Sequence, residues 1–316
     1  MNKTIWRGLP AVALLSVGAL AAVGQAVGSL PEKPAATKQL EFRNLVYETA
    51  SGKKLELDVF LNPKATAGAP APVLVYFHGG AWARGERNKK YAGFNSFYAM
   101  GFSVVSVDYR LTGTATAPAA VTDALCSLSW VRANARQYNF DPTRVVPYGT
   151  SAGAHIALMA GMLPADTDVA NPACGPLPKV VAILDFYGPT DLAPGLKLAH
   201  PNHTLVSWIG PVSDPTAMAQ KMSPMTYVKS GQPPVFLVQG DKDPVVPYAQ
   251  SVELQKALEE AKVPNFFYTV AGGSHGGFTK EQKQVIFGLV RDFLVKQKIV
   301  PFQKLPKETE GDGPVE

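Results

Sequence analysis

Cysteine is scarce: the 316 residues contain two, Cys126 and Cys174. That count excludes a small disulfide-framework scaffold and a four-cysteine zinc module. No set of His, Cys and carboxylates has metal-ligand spacing, so no metal and no other cofactor is expected. Charged residues make up only 17% of the chain, and Lys and Arg never form a run of five. The formal charge of +5 therefore gives little support to nucleic-acid binding. Gly (28) and Pro (27) are plentiful but follow no period and form no low-complexity block. What remains is an ordinary apolar fraction of 46% and a length that suits one or two folded domains.

The one long apolar run lies at the start. Lys3 and Arg7 precede an Ala/Leu/Val-rich stretch over residues 9–23, and Gly24-Gln25-Ala26 offers a small-residue cleavage site. This is the layout of a secretory signal peptide, taken as residues 1–28. The expectation is export to a periplasmic or extracellular space, with no stable membrane association once the segment is cut. Removing it leaves 28 basic against 25 acidic residues, a balance of +3. In an oxidising compartment two cysteines usually pair, so Cys126 and Cys174 form a candidate disulfide. Pairing requires their Cα atoms within about 7 Å.

Downstream, strand and helix patterns alternate. Residues 41–49 and 54–61 read as a hairpin turned at Ser51-Gly52. Short continuous apolar runs at 72–77 (PVLVYF) and 102–107 (FSVVSV) read as buried central strands, as do 144–148, 179–186 and 234–239. The last strand is expected at 265–270. Helices are expected over 119–137, 152–162, 248–262 and 279–298. Such alternation implies an α/β fold: a mostly parallel sheet flanked by helices on both faces, over residues 36–300. Residues 187–231 break the pattern with six prolines and read as a cap or insertion over the strand C-terminal ends. Residues 303–316 are polar and read as a disordered tail.

Ligands of such sheets bind beyond the carboxyl ends of the strands, and the chemistry-bearing motifs lie there. Gly149-Thr150-Ser151-Ala152-Gly153 falls between a strand and a helix, the context that a nucleophile elbow requires. His78-Gly79-Gly80-Ala81-Trp82 follows the strand PVLVYF and supplies small residues whose amides could face a developing oxyanion. Gly80 and Ala81 are assigned as donors there, together with Ala152. Asp241 and Asp243 follow the strand PVFLVQ, and His275 lies in a glycine-rich loop after the last strand. A serine hydroxyl needs a histidine to take its proton, and the histidine needs a carboxylate to orient it. Asp243, deeper in its loop, is preferred for that role over Asp241, which is read as a turn or capping residue. The order Ser151, Asp243, His275 is the α/β-hydrolase order.

On HGGAW, VSVDYR, the elbow with its helix, FYGPTDL, QGDKDPVVP and GGSHGGF, the chain resembles α/β-hydrolase carboxylesterases. It is most similar to the bacterial esterase/lipase group of acetyl-xylan and feruloyl esterase-like domains, the BD-FAE type. The resemblance implies the same triad and a serine esterase acting on small-molecule or polysaccharide esters. Thr150 and Ala81 depart from the hormone-sensitive-lipase pattern, which has an acidic residue before the serine and HGGG in the loop. Amide, formamide or peptide hydrolysis on the same fold is the runner-up, and an inactive hydrolase-fold binding protein is the reading from another class.

Other residues carry weaker claims. Trp82 and Trp208 are candidate substrate contacts. Asp108 is read as a structural carboxylate, His78 as a brace for the oxyanion loop and His155 as a packed helix residue. His200 and His203 in the insertion are read as solvent-exposed.

Overall fold

The structure is a computed structural model that describes residues 40–65, 68–197 and 203–301. The expected signal segment and tail, and His200, lie outside the described residues. No helix among the described residues is long and apolar enough to cross a membrane.

The hairpin forms as its turn dictates. β1 (Glu41–Ala50) pairs antiparallel with β2 (Lys53–Phe60). Ser51 and Gly52 take φ of 51° and 71°, the left-handed pair that a two-residue hairpin turn needs. β3 (Ala71–Phe77) is buried at every position, the signature of a strand covered on both faces. After a short helix, α1 (Asn95–Ala99), comes β4 (Ser103–Val107). The helix expected over 119–137 divides into α2 (Ala119–Ala133) and α3 (Ala135–Tyr138). At the break, the Asn134 side chain donates to the Trp130 carbonyl at 2.9 Å, competing with the helix ladder. β5 (Phe140–Thr150) leads directly into α4 (Ala152–Met162), and β6 (Ile183–Phe186) follows.

Three prolines of the insertion open helices instead of preventing them. α5 (Ala193–Leu196), α7 (Pro215–Lys221) and a 3₁₀ turn (Pro224–Tyr227) each carry Pro in the first turn, where a missing N–H costs nothing. α6 (His203–Ile209) lies between α5 and α7. Beyond them come β7 (Val235–Gly240), α8 (Tyr248–Glu260), β8 (Asn265–Val270) and α9 (Lys280–Lys296).

The eight strands form one sheet in the order β1-β2-β4-β3-β5-β6-β7-β8, parallel from β4 onward. Strand alternation splits the core in two. Val73, Val75 and Phe77 point to a layer shared with α2, α4 and α8. Leu74 and Tyr76 point to the opposite layer, with Phe97 of α1 and Ile286, Val290 and Leu294 of α9. Each such fully buried side chain stabilises by roughly 1.5–3 kcal/mol, which fixes the register that presents the strand ends. This is the α/β-hydrolase fold. Cys126 of α2 and Cys174 are joined by a disulfide with Cα atoms 5.1 Å apart, and Ser129 and Arg132 of α2 donate to the carbonyls of Gly175 and Leu177 in the same loop.

Candidate active site

The elbow is a close approach between β5 and α4. A Cβ on Gly149 would lie 2.2 Å from the Gly153 carbonyl, and one on Gly153 would lie 2.1 Å from the Phe77 carbonyl oxygen. Both positions therefore require glycine. Ser151 between them takes φ 52°, ψ −122°, a region that costs a non-glycine residue of order 1–3 kcal/mol and persists only where the surroundings over-determine it. The Ser151 amide donates to the Phe186 carbonyl at 2.9 Å, which ties the strained residue to β6.

Ser151 Oγ lies 2.8 Å from His275 Nε2, and His275 Nδ1 lies 2.7 Å from Asp243 Oδ2. The Asp243 side chain is fully buried and that of His275 is 16% exposed. Burial pushes the Asp243 carboxyl up, but hydrogen bonds from His275 and from the Val246 and Val245 amides outweigh it and hold the group below the usual carboxylate range. An ionised carboxylate has no proton to donate. His275 Nδ1 therefore carries the hydrogen, and the Nε2 lone pair faces the serine hydroxyl.

Asp241 has a different task. Its Oδ1 accepts from the Gly272 amide at 2.8 Å, and the Lys242 amide donates to Gly273 at 2.9 Å, so the loop after β7 is laced to the loop carrying His275. Gln239 and Tyr187 escaped sequence reasoning. Gln239, buried at the end of β7, donates to Asp243 Oδ2 (3.2 Å) and the Val246 carbonyl (2.7 Å) and accepts from Ser251 Oγ. Its signal was a polar side chain ending a buried apolar strand, where an amide must find partners. Tyr187, at φ 51°, sets its ring edge-to-face against His275, centroids 4.9 Å apart. Asp185 lies beside the elbow, in register with Gly149. Burial pushes it up to about 7, and it accepts from the Gly188 amide, not from His275.

The loop after β3 passes directly by the nucleophile: a Cβ on Gly79 would lie 3.5 Å from Ser151 Cβ. Among the described residues the amides of Gly80 and Ala81 donate to no carbonyl. Ala152 opens α4, where helix N–H groups lack intrahelical partners and the dipole favours negative charge. His78 is buried, stacks on Tyr109 at 4.4 Å and reaches the Gly79 carbonyl through Nδ1 at 2.7 Å, so it braces the loop. Burial lowers its pKa.

Trp208 presents no surface to solvent and Trp82 very little; they stack on each other at 4.5 Å. Trp208 projects from α6 and is enclosed by Trp82 and His155, so neither indole presents an open face to solvent. His155 is fully buried against both indoles, while His203 is exposed at the start of α6.

The far end of the loop is pinned by Arg87. This side chain, 5% exposed, bonds Asp58 (3.0 Å), Glu56 (3.1 Å) and Asp108, and its amide donates to Asp108 at 2.6 Å. Asp58 is itself 1% exposed. Removing one member of a buried ion network leaves an uncompensated charge. Arg87→Ala is expected to cost about 3–5 kcal/mol in unfolding free energy, measured by urea denaturation; a loss within about 0.5 kcal/mol, as for a surface change, would contradict the burial.

The BD-FAE family model matches residues 57–258. The chain belongs to the BD-FAE family. The match takes in the loop after β3, Ser151 and Asp243 and ends before His275. Esterase LipQ of Mycobacterium tuberculosis is 30% identical over 250 residues, 77% of this chain and 59% of LipQ. Esterase LipC of the same organism is 28% identical over 66% of this chain and 53% of its own. The chain thus spans between half and three-fifths of the length of these curated relatives. Among solved structures, a truncated carbohydrate esterase from gut microbiota superposes with TM-score 0.68 at 26% identity, over 82% of this chain and 96% of that one. Thermogutta terrifontis esterase 2 phosphonylated by sarin gives 0.70 at 23% identity over 82% and 95%, a likeness of fold.

Proposed function

We propose that this protein hydrolyses carboxylic esters through an acyl-enzyme on Ser151. The observation that carries this reading is the unbroken Ser151–His275–Asp243 chain of short hydrogen bonds at the strand ends, beside a loop whose Gly80 and Ala81 amides donate to no carbonyl among the described residues. His275 Nε2 takes the Ser151 proton as Oγ attacks the ester carbonyl. Amides of Gly80, Ala81 and Ala152 receive the oxyanion, each such donor contributing on the order of 10²–10³ in rate. His275 then protonates the leaving alcohol, and water, activated by the same imidazole, releases the acid. LipQ and LipC are named as esterases and one structural neighbour as a carbohydrate esterase; these support ester substrates, either small molecules or acylated polysaccharides. Export fits the same picture, because structural disulfides persist in oxidising compartments.

The test is a p-nitrophenyl ester chain-length series run beside acetylated xylan and methyl ferulate. Turnover of short-chain esters, with release of acetate or ferulate from the other two, is the expected result. Turnover of anilides and formamides but not of esters would replace it with the amide reading.

A further inference from the structure

His155 lies one helical turn beyond Ser151 and serves no step of the proton transfer, yet it is fully buried and both ring nitrogens are used. Nε2 lies 2.7 Å from the Met222 carbonyl. A carbonyl only accepts, so Nε2 carries the hydrogen and Nδ1 is left with a lone pair. That lone pair receives the Trp82 indole N–H at 3.2 Å. Burial drives the His155 pKa down to about 4, so the ring stays neutral and the tautomer holds.

Trp82 belongs to a strained loop. Ala81 and Trp82 take successive φ values of 54° and 57°, a conformation that residues with side chains leave unless it is over-determined. The fixings converge on Trp82. Its carbonyl accepts from the Thr112 amide (2.8 Å) and hydroxyl (3.1 Å). Its indole is clamped between the Trp208 face at 4.5 Å and the His155 edge at 5.2 Å. Trp208 Nε1 is buried with no hydrogen-bond partner among the described residues, so the Trp208 side chain holds Trp82 by ring contact and not by its polar atom. Its carbonyl accepts from the Ala117 amide at 2.7 Å.

We propose that His155 is a positioning residue: it joins the nucleophile helix, the oxyanion loop through Trp82, and the insertion through Met222, and thereby sets where the Gly80 and Ala81 amides stand relative to Ser151. This rests on the ester-hydrolysis reading of the site. A residue of this kind acts on the transition state, because the amides it places meet an oxyanion only there.

The test compares His155→Gln, Trp82→Phe and the double variant with the parent. Gln keeps a donor toward Met222 but offers no acceptor at the Nδ1 position, and Phe keeps a ring but loses the indole N–H. Each single change is expected to lower kcat for p-nitrophenyl acetate by about ten- to a hundredfold with KM nearly unchanged. Affinity for a phenylboronic acid, whose tetrahedral serine adduct places an oxygen in the oxyanion site, should weaken by the same factor. The double variant should lose little more than the worse single one, because both cut one linkage. Folded single variants with parental kcat and parental boronate affinity would overturn the proposal. So would a fully additive double variant. Should His155→Gln not fold, Trp82→Phe carries the same comparison alone. A parent chain with no esterase activity would instead bring down the underlying site reading, and this inference with it.

Discussion

Replacing Ser151 with alanine is expected to lower kcat for p-nitrophenyl acetate by on the order of a millionfold and to leave the fold intact. The loss is large because Oγ is the hydroxyl that meets His275 Nε2, at 2.8 Å. The fold should survive because what the elbow needs is backbone geometry: the Ser151 amide bonds Phe186, and Gly149 and Gly153 allow the strand–helix contact. Alanine retains every one of those features. Circular dichroism and the unfolding midpoint should match the parent while turnover falls to background. Retained turnover would remove Ser151 from the mechanism.

The second large effect separates two aspartates only two residues apart. Asp243→Asn is expected to reduce kcat by on the order of 10⁴, and Asp241→Asn by only a few-fold. An amide at 243 can present its NH₂ to Nδ1, which turns the imidazole into the wrong tautomer for accepting the serine proton. At 241 the change weakens one bond to the Gly272 amide and leaves the triad whole. The sign of the pH effect follows. Asp243 is held below the usual carboxylate range by His275 and the Val246 and Val245 amides, against the upward push of burial. A carboxylate with a depressed folded-state pKa contributes stability that is present above its unfolded value and is lost as pH falls through the folded one. Asp243 therefore stays ionised under mildly acidic conditions, and its contribution fades only below the ordinary carboxylate range. An Asp241 variant with the larger defect would move the acid.

The sheet was readable because its central strands are continuous apolar runs between turn signals, and burial on both faces leaves no other place for PVLVYF or PVFLVQ. The elbow was readable because a turn that tight admits only glycine at its two flanks. Residues 187–231 resisted the same reading. Pro194, Pro215 and Pro224 mark helix starts, and helices as short as α5 and α7 show too little periodicity to distinguish from loop. The Trp82–Trp208 stack was illegible for a related reason: an indole looks alike in sequence whether it faces substrate or another indole, and the contact joins residues far apart in the chain. Gln239 announced itself only as a polar end to an apolar strand. His155 was readable as a packed residue, but its two hydrogen-bond partners come from the oxyanion loop and the insertion, which no local pattern brings together.

The central claim is that Ser151 is an activated nucleophile. Labelling with a fluorophosphonate followed by peptide mapping tests it most directly, because such reagents phosphonylate a serine, fluoride leaving as the P–O bond forms, only where a base and an oxyanion site act together. The account predicts one stoichiometric adduct on Ser151, lost in Ser151→Ala and strongly slowed in Asp243→Asn. A folded parent chain that takes no adduct at Ser151 would contradict it.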